Sequence, residues 1–154
     1  MKKLLPLLIL LFCTIGLHAQ SSDVVTEIIN SDKVTFGQVC YLSAVQQGFI
    51  EEDASYSDAI NALYENGQIP KALYEDTVVP MVNLAFIYAQ IWDIKGGLFY
   101  RLFRGAPRYA FKQMKADGII DSSIDPDSIP SGRDALNLYT SCMLYYGKQE
   151  LNVE

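Results

Sequence analysis

Apolar residues recur along most of the chain at the three- and four-residue spacing of amphipathic α-helices, and strand-like alternation is sparse. One such pattern runs through "YSDAINALYENGQIP", residues 56–70, and another through "PRYAFKQMKADGIID", residues 107–121. Four patterns end near a glycine, the residue that best adopts the left-handed backbone at a helix C-terminus. These glycines are Gly48, Gly67, Gly118 and Gly147. The pattern predicts an all-α domain.

The two quoted stretches also resemble each other, with Ala59 matching Ala110 and Leu63 matching Met114. A second helical pattern follows each of them after a loop: "VPMVNLAFIYAQ" from residue 79 and "IPSGRDALNLYT" from residue 129. Pro80 and Pro130 then fall near the first helical turn, where a missing N–H costs nothing.

A third copy of this second element occurs early in the chain, as "VTFGQVCYLSAV" from residue 34. Thr35 stands where the other copies have proline, and its hydroxyl can cap a helix. Cys40, Ala85 and Ala135 share one small-residue position in this alignment. We therefore predict a single domain of three helix-loop-helix units, at about residues 24–50, 56–95 and 107–147, each burying its apolar face on its neighbours.

The N-terminus, "MKKLLPLLILLFCTIGLHAQ", has two lysines, an apolar run from Leu4 to Leu17, and then Ala19. This pattern predicts a signal peptide at residues 1–19 and a mature domain at residues 20–154, located in the periplasm or at the cell surface. The run is shorter than the roughly 20 residues of a spanning helix. Attachment to a membrane through an uncleaved N-terminus, or through lipidation of Cys13, is a less favoured alternative, because bulky Phe12 precedes that cysteine.

Removal of residues 1–19 leaves 10 Lys+Arg (12 minus 2) against 18 Asp+Glu, and it removes the single histidine, His18. The acidic surface disfavours nucleic acid as a partner. Without histidine, a nucleophile-histidine pair is excluded. Carboxylate clusters at residues 51–53 and 121–127 leave a carboxylate-dependent hydrolase as a third hypothesis, but Asp125 and Asp127 flank a proline, as in turns. We predict no enzyme activity, cofactor or metal.

Basic and aromatic residues are concentrated between Trp92 and Lys115. Arginine beside aromatic rings suits acidic sugars or a protein partner. The alternative is that the rings face the core while the arginines lie in solvent. The candidate binding residues are Trp92, Tyr100, Arg101, Arg104 and Arg108.

Cys40 and Cys142 are the two cysteines of the mature chain. They can form a disulfide in an oxidising compartment, or each can be a small buried apolar residue.

The layout resembles the S-layer homology domain family, whose modules run as helix, glycine-containing turn, loop and second helix. "YAFKQMKADGIIDSSIDPDSIPSGRDAL", residues 109–136, is similar throughout, and "DAINALYENGQIPKALYEDTVVPMVNLA", residues 58–85, more loosely. The resemblance implies three modules around a pseudo-threefold axis, with Gly67, Gly118, Pro80 and Pro130 as structural positions. It also implies grooves between modules that bind cell-wall polysaccharide.

In this family an arginine at the start of the second helix contacts acidic sugar. The corresponding position here holds Phe36, Met81 and Ser131. The resemblance therefore implies the scaffold but not that contact. The resulting hypothesis is a non-catalytic envelope module that binds wall glycan or a peptidoglycan-associated polymer. The alternative is a periplasmic scaffold that docks to another envelope protein.

Overall fold

The computed structural model describes residues 19–69, 74–103 and 105–150, with the backbone alone for residues 19–22 and 148–150. In these ranges it has seven α-helices: α1 (Ala19–Asn30), α2 (Phe36–Gln46), α3 (Tyr56–Glu65), α4 (Met81–Ile91), α5 (Leu98–Leu102), α6 (Pro107–Ala116) and α7 (Gly132–Glu150). The only strand-like feature in the described ranges is an isolated antiparallel bridge between Thr35 and Val78. The prediction of an all-α class is confirmed. The predicted signal peptide, apart from Ala19, lies outside the described residues, as does Cys13.

Three helices begin at a residue that caps them through reciprocal hydrogen bonds with the third helical residue. In α7, the Ser131 hydroxyl accepts from the Asp134 N–H at 3.2 Å, and the Asp134 carboxylate accepts from the Ser131 N–H at 3.0 Å. The corresponding pairs are Thr35 with Gln38 in α2 and Ser55 with Asp58 in α3. Each pair satisfies N–H groups that lack an intrahelical partner, so these starts are fixed by local sequence.

The predicted ends at Gly67 and Gly118 are confirmed. Their φ angles are +68° and +75°, and the next N–H groups bond back to Leu63 and Met114 at 3.0 Å and 2.9 Å. This is the pattern of a left-handed helix cap. The predicted end at Gly48 is confirmed as well, with φ +68°.

The predicted end at Gly147 is wrong, because this glycine lies inside α7. Its neighbour Tyr146 is buried and donates its hydroxyl to the Asp117 carboxylate at 2.6 Å. A Cβ at Gly147 would lie 3.6 Å from the Trp92 ring. Tertiary packing at this end of α7 outweighs the glycine's low helix propensity.

Helix positions repeat at a fixed interval. α3 and α6 begin and end 51 residues apart (Tyr56 to Pro107), and α4 and α7 begin 51 residues apart (Met81 to Gly132). The sequence alignment, which paired residue 79 with residue 129, is therefore wrong by one residue for the second element. It superposed Pro80 on Pro130, whereas the capping residue of α7 is Ser131.

Backbone hydrogen bonds link the starts of α2, α4 and α7 in a ring. In each case the first helical N–H donates to a carbonyl in the segment before another of the three helices. The bonds are Phe36 to Thr77 at 2.7 Å, Met81 to Ser128 at 2.9 Å, and Gly132 to Ser31 at 2.9 Å. The ring closes because the last bond returns to the segment before α2.

The helices pack in the same cyclic order. The most extensive helix contacts join α2 to α3, α4 to α6, and α1 to α7. Tyr88 of α4 lies at the centre of the core, fully buried, with its hydroxyl donating to the Ala135 carbonyl at 3.1 Å. Burial raises the pKa of this phenol well above its ordinary value.

Cys40 and Cys142 are free thiols and both are fully buried. No disulfide joins them, and they occupy the core as small apolar residues. Burial raises the pKa of Cys142 to about 12 and raises that of Cys40 as well, so both thiols stay protonated near neutral pH.

Candidate functional site

A groove lies between the start of α2 and the outer face of α4, with a cavity volume of about 180 Å³. We call it the first groove. Its described lining is mostly apolar, with a single side-chain amide, that of Asn83. Phe86, which is half-buried, and exposed Val78 give it accessible apolar surface. The lining residues are Phe36, Ile69, Thr77, Val78, Val79, Asn83, Phe86, Ile87 and Pro107.

A second groove, of about 410 Å³, lies between the start of α4 and the outer face of α7. Its lining is more polar than that of the first groove, because Asp134, Asn137 and Ser141 of α7 face it along with Asp121. Ile129 and Met81 supply apolar surface.

The two grooves are built from corresponding positions. Eight residues of the first groove have a counterpart in the second, 45 residues later for the first residue and 51 residues later for the other seven. The first-groove residues are Phe36, Ile69, Thr77, Val78, Val79, Asn83, Phe86 and Ile87. Their counterparts are Met81, Ile120, Ser128, Ile129, Pro130, Asp134, Asn137 and Leu138. The same cleft is thus formed twice, with different side chains.

The described lining of both grooves contains no lysine or arginine. Phe36 and Met81, at the positions where the S-layer homology family has its arginine, are buried at the inner edges of the two grooves. In the corrected alignment the third such position is Gly132 rather than Ser131, which caps α7. The grooves therefore offer no cation for pairing with an acidic sugar.

The free polar groups of the grooves are amides. Within the described part of the chain, the side-chain amides of Asn83 and Asn137 make no hydrogen bond, and Asn137 is exposed. The carboxylate of Asp134 instead bonds its own helix cap, and that of Asp121 accepts from Ser123 N at 2.8 Å. Sequence reasoning missed the two asparagines as site residues, because three separate segments form each groove.

Trp92 and Tyr100, two predicted binding residues, pack inward. Trp92 is half-buried against the Tyr139 ring, at 6.1 Å between centroids, and Tyr100 is 3% exposed. The Trp92 indole N–H and the Tyr100 hydroxyl are buried with no hydrogen-bond partner among the described residues. These two side chains follow the alternative reading, in which the rings of this segment face the core.

Arg101 and Arg108 are exposed, and neither lines a groove. Arg101 lies beside a cavity of about 450 Å³ that Lys95 and Tyr100 also line. Arg104 lies outside the described residues. The five predicted residues are therefore divided: two rings in the interior, and two exposed guanidinium groups near α5.

The carboxylate clusters lie on loops. Asp121, Asp125 and Asp127 are exposed, and Asp121 and Asp125 each accept a hydrogen bond from the backbone N–H two residues later, as in turns. Bonds from Ser123 hold the pKa of Asp121 below its usual value. Among the described residues, no three or more His, Cys, Asp or Glu side chains come together as a metal site would require.

Comparison with known proteins returned no family model, no curated protein and no solved structure that matches this chain. None of the helices in the described ranges has the length and apolar character needed to span a bilayer.

Proposed function

We propose that this chain is a non-catalytic cell-envelope module of S-layer homology type that binds wall glycan in the grooves between its helical units. The single observation that carries the proposal is the pair of grooves lined by corresponding residues. A cleft that recurs at one position of a repeated unit is a natural site for a polymer that is itself repetitive.

The architecture gives further support. Three second helices, α2, α4 and α7, start within one ring of backbone bonds, and each packs on the first helix of another unit. This is the arrangement expected of three units around a pseudo-threefold axis, since no unit buries its apolar face alone.

The chemistry of the grooves narrows the ligand to a neutral, N-acetylated glycan, such as the backbone of peptidoglycan. Phe86 and Val78 offer apolar surface for the face of a sugar ring. The amides of Asn83 and Asn137 can donate to and accept from hydroxyl and acetamido groups. An acidic polymer would require a cation in the groove, and the described lining has none.

A carboxylate hydrolase is the less supported alternative. Its general acid would need a raised pKa, whereas hydrogen bonds lower the pKa of Asp121. We place the protein in the periplasm or at the cell surface on the strength of the N-terminal sequence alone.

Retention on purified, insoluble peptidoglycan tests this function. We expect Asn83→Ala and Asn137→Ala each to weaken retention three- to tenfold, roughly the effect of losing one hydrogen bond. Asn61→Ala is the matched control, because Asn61 is an exposed asparagine on α3 that lines neither groove. The proposal fails if the wild-type protein is not retained, or if both groove variants are retained as well as the Asn61 control.

A further inference from the structure

The short helix α5 carries the most exposed cluster of large apolar side chains near the basic segment. Leu98, Phe99 and Leu102 are 76%, 68% and 69% exposed, and Phe103 is exposed as well. Leu98 and Leu102 are four residues apart, so they share one face of the helix with their neighbour Phe99. Tyr100 is buried on the inner side. The outer face of α5 therefore presents apolar side chains to the surroundings at a clear cost in water.

The surroundings of α5 are basic, although the protein is acidic. Residues 95–116 contain six of the 12 lysines and arginines and no aspartate or glutamate. Arg101 is exposed on α5 itself, and Arg108 and Lys112 are exposed on the adjoining α6. Lys95 is also exposed and pairs with Asp93.

The rest of the fold holds α5 in place. The Gly97 N–H at its start donates to the Gln113 side chain of α6 at 2.8 Å. The Phe103 ring stacks on Tyr109 at 4.8 Å between centroids. The apolar face is thus presented by a helix anchored at both ends.

We propose that α5 docks the protein onto a lipid bilayer that carries anionic headgroups. The two layers of this surface match the two layers of such a bilayer: Leu98, Phe99 and Leu102 can enter the acyl boundary while Arg101 stays at the phosphates. The cavity of about 450 Å³ beside Arg101 and Lys95 leaves room for a headgroup. The acidic remainder of the protein would be repelled by the same bilayer, so only this face can approach it.

This surface is distinct from the grooves, so the inference goes beyond the glycan function. No residue of α5 lines either groove. Asn83→Ala and Asn137→Ala should therefore bind vesicles like the wild-type chain, and variants of α5 should keep their affinity for peptidoglycan. The two proposals can fail separately.

Flotation of the full chain with vesicles tests the docking. Binding is expected to vesicles made of equal parts phosphatidylcholine and phosphatidylglycerol, to be weaker with phosphatidylcholine alone, and to fall with added salt. Phe99→Ser should weaken it about tenfold, because one buried ring is lost. Arg101→Glu should weaken it roughly thirtyfold, because it turns an attraction into a repulsion.

The controls are exposed residues away from α5. Tyr74→Ser is matched to Phe99→Ser, since Tyr74 is 87% exposed, and Arg133→Glu on α7 is matched to Arg101→Glu. Both controls should bind like the wild-type chain. The apolar residues 4–17 are present in every variant, so the comparison between variants isolates the contribution of α5.

A local reporter gives a second reading. In a Trp92→Phe background, tryptophan in place of Phe99 should be quenched by brominated phospholipid in the anionic vesicles, and tryptophan in place of Tyr74 should not. Equal flotation of all variants, or no quenching at position 99, overturns the proposal. Capture of an acidic envelope protein that Arg101→Glu abolishes, without binding to vesicles, also overturns it and assigns α5 to a protein partner.

Discussion

Replacing Gly132 by alanine should destabilise the fold by about 3 kcal/mol or more, because the new methyl group would overlap the main chain of α1. A Cβ at Gly132 would lie 1.6 Å from the Ile28 carbonyl oxygen. Relief of this overlap requires α7 to move away from α1, which would break the bond of 2.9 Å from the Gly132 N–H to Ser31. That bond closes the ring of helix starts. Urea denaturation of the purified chain measures the loss.

Gly105→Ala is the control for this change. No atom lies within 4 Å of a Cβ at Gly105, and its φ is not in the left-handed range. Its free energy of unfolding should stay within about 0.5 kcal/mol of the wild-type value. A Gly132→Ala protein as stable as this control would contradict the close packing of α1 on α7.

Leu63→Ala and Met114→Ala should each cost about 2–5 kcal/mol, and the two losses should be similar. Both side chains are fully buried, and the two residues hold corresponding positions 51 residues apart at the ends of α3 and α6. Each removes apolar atoms from the core and leaves a cavity that its neighbours fill only in part. Thermal or urea unfolding of the two variants provides the comparison.

Leu144→Ala serves as the control, because Leu144 is 53% exposed on α7. We expect it to change stability by less than about 0.5 kcal/mol. A large loss for Leu63→Ala beside almost none for Met114→Ala would show that the two helices do not have equivalent places in the core.

Features that depend on local sequence could be predicted. The ends of α3 and α6 follow from Gly67 and Gly118, because a left-handed cap needs only a few consecutive residues. The start of α2 follows from Thr35 for the same reason. The all-α class follows from the spacing of apolar residues.

Features that depend on distant contacts could not be predicted. Gly147 has the sequence appearance of a helix end, but α7 continues through it while Tyr146 bonds to Asp117 from a different helix. The end of α4 was missed for the opposite reason. Asp93 takes the left-handed position with φ 37°, where a glycine would be expected, and Ile94 bonds back to Ala89 at 3.2 Å.

The candidate site divides along the same line. Composition identified the basic segment, and Arg101 is indeed exposed there. Composition does not indicate which way a ring faces, so Tyr100 was grouped with Arg101 although it is buried. The grooves were missed because Asn83 and Asn137 gain their significance only when the loops before α4 and α7 fold against them.

The central claim is that wall glycan lies in the grooves, and its most direct test is an NMR titration of the protein with a soluble, neutral, N-acetylated fragment of peptidoglycan. We predict saturable shifts of the backbone amides around Val78, Asn83 and Asn137, and none around Leu98 in α5. Absence of saturable shifts, or shifts confined to α5, would contradict it.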